Sequence, residues 1–307
     1  MLIYVAGING MVGSAIALES VARGNDVIGK SSSDLDLTAR ADVFKELSET
    51  RPDALVIAAA KVGGIGANSA FPVDFLSINL QIQTNLLDAA HAAGIERVLF
   101  LGSSCIYPKL AQQPIKESAL LTGELEPTNE PYAIAKIAGL KLLQAYRKQF
   151  GHRWISAMPT NLYGPRDNFD VETAHVLPAL IHRIHKAKLA GASSVEIWGD
   201  GTPLREFLHV EDLAKATLKL LNDFDDSVAI NVGSGQEIAI KDLAELVAKV
   251  VGFTEEITLN PNRPNGTARK LLDSSLITQL GWKPQIDLET GITSTYDWFL
   301  KHQPRSL

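Results

Sequence analysis

Cysteine is nearly absent: Cys105 is the only one in 307 residues, so no disulfide can form within the chain and a reducing compartment suits it. No apolar run approaches the ~20 residues of a membrane-spanning helix, and the start Met1-Leu2-Ile3-Tyr4-Val5-Ala6-Gly7 lacks the basic stretch and apolar segment of a secretory signal. A cytoplasmic protein with no membrane partner is expected. Lys and Arg form no run and the formal net charge is −6, so nothing draws the chain to a nucleic-acid backbone, and any anion must be bound locally. Repeats and low-complexity tracts are missing as well, and no metal ion is called for. Asn265-Gly266-Thr267 matches a glycosylation triplet, but without a secretory signal it is expected to be a turn.

What is present suits a globular enzyme. Hydrophobic residues make up 46% and charged residues 21%, enough for a sizeable core, and the length suggests a large domain and a smaller one around a shared cleft. Apolar runs at Leu2 to Ala6, Val27 to Gly29, Ala54 to Ala58 and Val98 to Leu101 alternate with stretches of helical period near Met11 to Arg23, Thr38 to Glu49 and Phe71 to Ala93. This alternation predicts an α/β fold with a doubly wound parallel sheet of Rossmann type. Trp154 to Met158 resembles a fifth strand. After Tyr163-Gly164-Pro165-Arg166 the rhythm changes, and a helix near His175 to Ala190 and a strand at Val195 to Trp198 suggest a smaller C-terminal α/β substrate domain. Phe207 to Asp212 leads into another helix, and Ala229 to Val232 is expected to return to the sheet. The division expected is 1–164 and 207–232 for the dinucleotide domain, and 165–206 and 233–307 for the substrate domain.

Gly7-x-x-Gly10-x-x-Gly13 follows a strand and opens a helix, where glycines let the backbone approach a pyrophosphate at the helix N-terminus. A merely tight turn is the bland alternative. An acid at the end of the second strand would bind the free 2′-hydroxyl of NAD, whereas this strand ends Gly29-Lys30-Ser31-Ser32-Ser33. Lysine among hydroxyls suits a 2′-phosphate, so NADPH is expected over NADH, with Lys30 as charge partner and Asp36 near the adenine.

Tyr132 and Lys136 stand one helical turn apart and share a face, on a helix entered through Thr128-Asn129-Glu130-Pro131. The Lys136 ammonium is expected to favour the ionised phenol and so make Tyr132 a proton donor to a ketone. From an ordinary tyrosine pKa of ~10, reaching neutrality takes on the order of 4 kcal/mol, which the lysine and a cationic nicotinamide are expected to supply together. The pair alone is weak evidence, since a half-buried aromatic beside a solvated lysine fits it equally. Ser103, after Phe100-Leu101-Gly102, is expected at the carboxyl end of the fourth strand, donating to the same carbonyl oxygen. Cys105 lies on the loop leaving that strand, and His175 is placed to approach from the substrate domain. A buried inert thiol and a structural histidine are the plainer readings of these two.

Four longer runs carry a resemblance: Ala58-Ala59-Ala60-Lys61-Val62-Gly63-Gly64-Ile65, Leu101-Gly102-Ser103-Ser104-Cys105-Ile106-Tyr107-Pro108-Lys109, Glu126-Pro127-Thr128-Asn129-Glu130-Pro131-Tyr132-Ala133-Ile134-Ala135-Lys136 and Met158-Pro159-Thr160-Asn161-Leu162-Tyr163-Gly164-Pro165. Over nearly its whole length the chain resembles the GDP-L-fucose synthase family, bifunctional epimerase-reductases of the extended short-chain dehydrogenase/reductase class. The resemblance implies NADPH-dependent conversion of GDP-4-keto-6-deoxy-D-mannose to GDP-L-fucose, by epimerisation at C3 and C5 and reduction at C4. It makes Cys105 the base and His175 the opposing acid, with Ser103, Tyr132 and Lys136 serving both stages. It implies cofactor contacts at Gly7, Gly10, Met11, Val12, Gly13, Ala58, Ala59, Tyr132, Lys136, Pro159, Asn161, Leu162 and His175. GDP-sugar contacts fall at Ser103, Asn161, Arg183, Trp198, Arg205 and Lys270, and a homodimer forms through the helices near Phe71 to Ala93 and Tyr132 to Gln149. One departure is Asn9, where many members carry a basic residue that helps bind the NADPH phosphate. The competing readings are another extended short-chain reductase or epimerase of nucleotide sugars, which would not need the Cys105 and His175 pair, and a silent NADP-sensing protein on the same fold.

Overall fold

A computed structural model describes residues 1–262 and 265–302; residues 263, 264 and 303–307, which the expected substrate domain includes, lie outside the described residues. The chain opens with β1 (Leu2–Ala6), α1 (Met11–Ala22), β2 (Asp26–Ile28), α2 (Arg40–Thr50) and β3 (Ala54–Ile57). Helices α3 (Ile65–Ala70) and α4 (Pro72–Ala92) lead to β4 (Arg97–Leu101), then α5 (Glu130–Phe150), β5 (Ile155–Pro159) and β6 (Asn161–Tyr163). Next come α6 (Val176–Leu189), β7 (Ser194–Trp198), β8 (Leu204–His209), α7 (Val210–Asp223) and β9 (Ile230–Val232). The rest comprises β10 (Glu237–Ala239), α8 (Ile240–Val251), β11 (Glu256–Asn260), β12 (Arg269–Lys270), α9 (Ser275–Gln279) and α10 (Leu288–His302).

The main sheet is parallel throughout, in the order β2-β1-β3-β4-β5-β9. Strand side chains alternate between its faces. Tyr4, Leu55, Ile57, Val98 and Phe100 enter one core with residues of α2, α4 and α5, while Ile3, Val5, Val56, Leu99 and Leu101 enter the opposite core with α1 and α7. Burial on both faces explains why these strands are unbroken apolar runs. The fold is therefore a doubly wound α/β sheet. Trp154 lies just before β5, wholly buried, its indole nitrogen donating to the Ile95 carbonyl at 3.0 Å. His175 stands at the N-cap of α6 and not within the helix.

A second sheet centres on β8, which pairs with β6 and β12 in parallel and β10 antiparallel, while β7 and β11 form a separate parallel pair. Phe207 therefore belongs to a strand of the smaller sheet, and the chain returns to the main sheet with α7 and β9. A third core, with residues of α6, α8 and α10, supports these strands. The wholly buried Glu206 stitches the region: its carboxylate accepts from Gly235 N at 2.7 Å and Leu272 N at 3.1 Å, and its carbonyl accepts from Thr160 Oγ1 at 3.2 Å and Asn161 Nδ2 at 2.8 Å.

Candidate active site

The chain runs from β1 outward to β2 and then back past it to β3, so a crevice opens at the carboxyl ends of β1 and β3. Gly7 and Ala58-Ala59 face each other there. Gly7 has φ +86°, and a Cβ on it would lie 2.9 Å from Ala59 N; a Cβ on Gly13 would lie 2.0 Å from the Gly7 carbonyl oxygen. Only glycine permits this turn and the close seating of α1. Met11 and Val12 open α1, and the N-cap Gly10 supplies no side-chain acceptor for their amides. Such a cradle fits a dinucleotide pyrophosphate.

Lys30 is exposed just beyond β2. The Asp36 carboxylate accepts from Thr38 N at 2.8 Å and Thr38 Oγ1 at 2.7 Å, bonds that hold its pKa below the usual carboxylate value and close the turn ahead of α2. Pro159 ends β5, Leu162 in β6 packs against the core shared with α1 and α7, and the Asn161 amide is anchored on the Glu206 carbonyl.

A cavity of about 330 Å³ brings together Ser103, Cys105, Tyr132, Asn161, His175, Arg183, Trp198, Arg205 and Lys270. Ser103 caps the short 3-10 turn Ser104–Ile106 and accepts from Cys105 N at 3.3 Å, which sets the thiol in the cavity wall at 6% exposure. Burial pushes the Cys105 thiol up; the Lys270 ammonium, the Ser103 hydrogen bond and Lys136 pull the other way. His175 is exposed at the cleft face yet hemmed by protein, and this desolvation keeps its imidazole below the ordinary histidine pKa. Arg183 sits 5.5 Å from the Trp198 ring centroid and donates to the Glu196 carbonyl at 3.0 Å.

Lys136 lies beneath the cavity. Its ammonium donates to the Leu101 carbonyl at 2.8 Å, 4.9 Å from the centre of the Phe100 ring and 5.8 Å from that of Tyr132. The Tyr-x-x-x-Lys pair shares a face as expected, and the lysine is only one of the groups that set its electrostatics. Burial raises the Tyr132 phenol above its ordinary pKa and Cys105 adds to the rise, while burial lowers Lys136 to about 8. The spacing does put the two on one face, but the ammonium is committed to Leu101 and desolvation is the larger effect. Lysine alone does not bring the phenol near neutrality.

Glu126 is a cavity residue that the sequence reading passed over. At 8% exposure it pairs with Lys109 at 3.1 Å and accepts from Thr128 at 3.3 Å and Thr267 at 3.2 Å. Burial pushes its pKa up, but Lys109 and these hydrogen bonds outweigh burial and leave it below the usual value. Its place at the head of the run ending in Lys136 was the available signal.

The family model described as "NAD dependent epimerase/dehydratase family" matches residues 3–233. The chain belongs to the NAD dependent epimerase/dehydratase family. Within it, the chain is 55% identical to GDP-L-fucose synthase 1 of Arabidopsis thaliana over 98% of its own length and 93% of that protein's. Among solved structures, a GDP-6-OMe-4-keto-L-xylo-heptose reductase from C. jejuni superposes with TM-score 0.93 at 33% identity, covering 98% of this chain and 97% of that one. A GDP-L-fucose synthetase from Naegleria fowleri bound to NADP gives TM-score 0.91 at 28% identity, covering 98% and 93%. Among the described residues no helix is long and apolar enough to cross a membrane.

Proposed function

We propose that this family member converts GDP-4-keto-6-deoxy-D-mannose to GDP-L-fucose with NADPH, inverting C3 and C5 and then reducing C4 in a single cleft. The observation that carries the reading is the meeting of Cys105, His175, Ser103 and Tyr132 in one cavity that also holds Arg183, Arg205 and Lys270. Cations of this kind suit a diphosphate in a chain of net negative charge, guanidinium groups binding its oxygens in a directed way. Ser103 and Tyr132 donate to the C4 carbonyl oxygen, which draws electrons from the ring and acidifies the hydrogens on C3 and C5. Cys105 removes such a proton from one face, and His175 returns one to the other. NADPH, when bound, supplies the hydride for C4. Tyr132 then gives its proton to the same oxygen, and Lys136 orients the site from below.

In this reading residues 1–164 and 210–232 serve the dinucleotide, and 165–209, which keeps β8 whole in the smaller sheet, and 233–307 serve the GDP-sugar. Gly7, Gly10, Met11, Val12, Gly13, Ala58 and Ala59 would cradle the cofactor, and Lys30 would pair with a 2′-phosphate, unaided at Asn9. Two copies pair through α4 and α5, which leave Val73, Ile134 and Phe150 exposed. A single thiol suits the cytoplasm. A simple nucleotide-sugar reductase would share Tyr132 and Lys136 but leave Cys105 and His175 without a task. Cys105→Ser and His175→Gln should each cut incorporation of solvent deuterium at C3 and C5 by about a hundredfold while the protein stays folded. Exchange at the wild-type rate in Cys105→Ser removes it as the base.

A further inference from the structure

The segment carrying Ser103 and Cys105 runs on to Tyr107, a residue 2% exposed whose hydroxyl donates to Asn231 Oδ1 at 2.6 Å. Asn231, at the centre of β9 and wholly buried, is fully engaged. Its Nδ2 donates to the Ile115 carbonyl at 2.9 Å and the Asp273 carbonyl at 3.2 Å, and its backbone N–H donates to Glu117 at 3.1 Å. These bonds fix the amide orientation, since only the oxygen is left for Tyr107. Ile115 is bridged to Leu272, with Ile115 N donating to Leu271 O at 2.8 Å and Asp273 N to Ile115 O at 2.9 Å. One side chain thus joins the thiol-bearing loop, the edge of the main sheet and the strand segment that follows Lys270.

We propose that Tyr107 and Asn231 are positioning residues for epimerisation: their hydrogen bond holds the Cys105 loop in register with the Lys270 strand, so that thiol and ammonium face the same point in the cleft. The inference rests on Cys105 being the base, as read above. Burial and the nearby Glu117 carboxylate keep the Tyr107 phenol protonated, hence a permanent donor. The Lys270 ammonium is the foremost group drawing the Cys105 thiol toward its ionised form, so a shift between the two segments weakens the base without touching substrate.

Tyr107→Phe removes one oxygen and keeps the ring packed. It should lower the maximal rate of solvent-deuterium exchange at C3 and C5 about tenfold, with KM and NADPH affinity within about twofold of wild type. Because Cys105 is the chain's only thiol, its alkylation by iodoacetamide reports its state directly, and in Tyr107→Phe the pH profile should move to higher pH. An exchange rate within about twofold of wild type, an unmoved alkylation profile, or an equal loss of NADPH affinity would each overturn the proposal. Cys105→Ser is run alongside. Exchange lost in Cys105→Ser but kept in Tyr107→Phe rejects the positioning role alone, whereas exchange kept in Cys105→Ser rejects the base assignment and this inference with it.

Discussion

Tyr132 hydrogen-bonds the carbonyl in both stages but gives up its proton only when hydride reaches C4, so Tyr132→Phe should slow NADPH oxidation by about a hundredfold or more while deuterium entry at C3 and C5, still served by Ser103, falls far less. Loss of both activities together would deny it this separate role. Lys136 gives a thermodynamic test. Its pKa falls to about 8 in the folded chain against ~10.4 unfolded, so between these values the unfolded chain holds the extra proton and stability rises with pH. Below pH ~8 the cost of burying the charge is fully present. Measured by chemical denaturation, wild type should therefore gain on Lys136→Met from pH 8 to 10, and a constant difference would contradict the assignment. At this scale the sequence revealed residue types and spacing, enough to single out Ser103, Cys105, Tyr132 and Lys136. Their electrostatics were hidden, because the pull of Lys270 on Cys105 and of Leu101 on Lys136 crosses long stretches of chain.

Among elements, the alternating apolar runs and helical stretches were plain in the first half, since strands buried on both faces are unbroken and glycines mark the turn from β1 to α1. The strands β6, β8, β10 and β12 were harder to see. Three of them, β6, β10 and β12, are very short, and the longer β8 is held by partners remote in sequence. What pins them is polar: Glu206 answers two backbone N–H groups, those of Gly235 and Leu272. Glu206→Ala leaves both unsatisfied in the interior and should cost about 2–4 kcal/mol, read from the denaturant midpoint; a loss below about 0.5 kcal/mol would show that the carboxylate is no clamp. Gly13→Ala sets a methyl group 2.0 Å from the Gly7 carbonyl oxygen, so NADPH affinity should collapse even where the fold survives.

For the molecule as a whole, the sequence holds no apolar run of membrane-helix length and no long basic tract, and its length suggested two lobes around a cleft. How the later lobe contributes Arg183, Trp198, Arg205 and Lys270 to the same cavity as Cys105 depended on the third dimension. Lys30 follows directly on the end of β2, so Lys30→Asp should shift preference from NADPH toward NADH; an unchanged preference removes it from the cofactor site. The most direct test of the account is to incubate the protein with NADPH and GDP-4-keto-6-deoxy-D-mannose in deuterated water and identify the product. The expected product is GDP-L-fucose carrying solvent deuterium at both C3 and C5, with one NADPH oxidised per molecule. A C4 alcohol that retains the original hydrogens at C3 and C5 would contradict it.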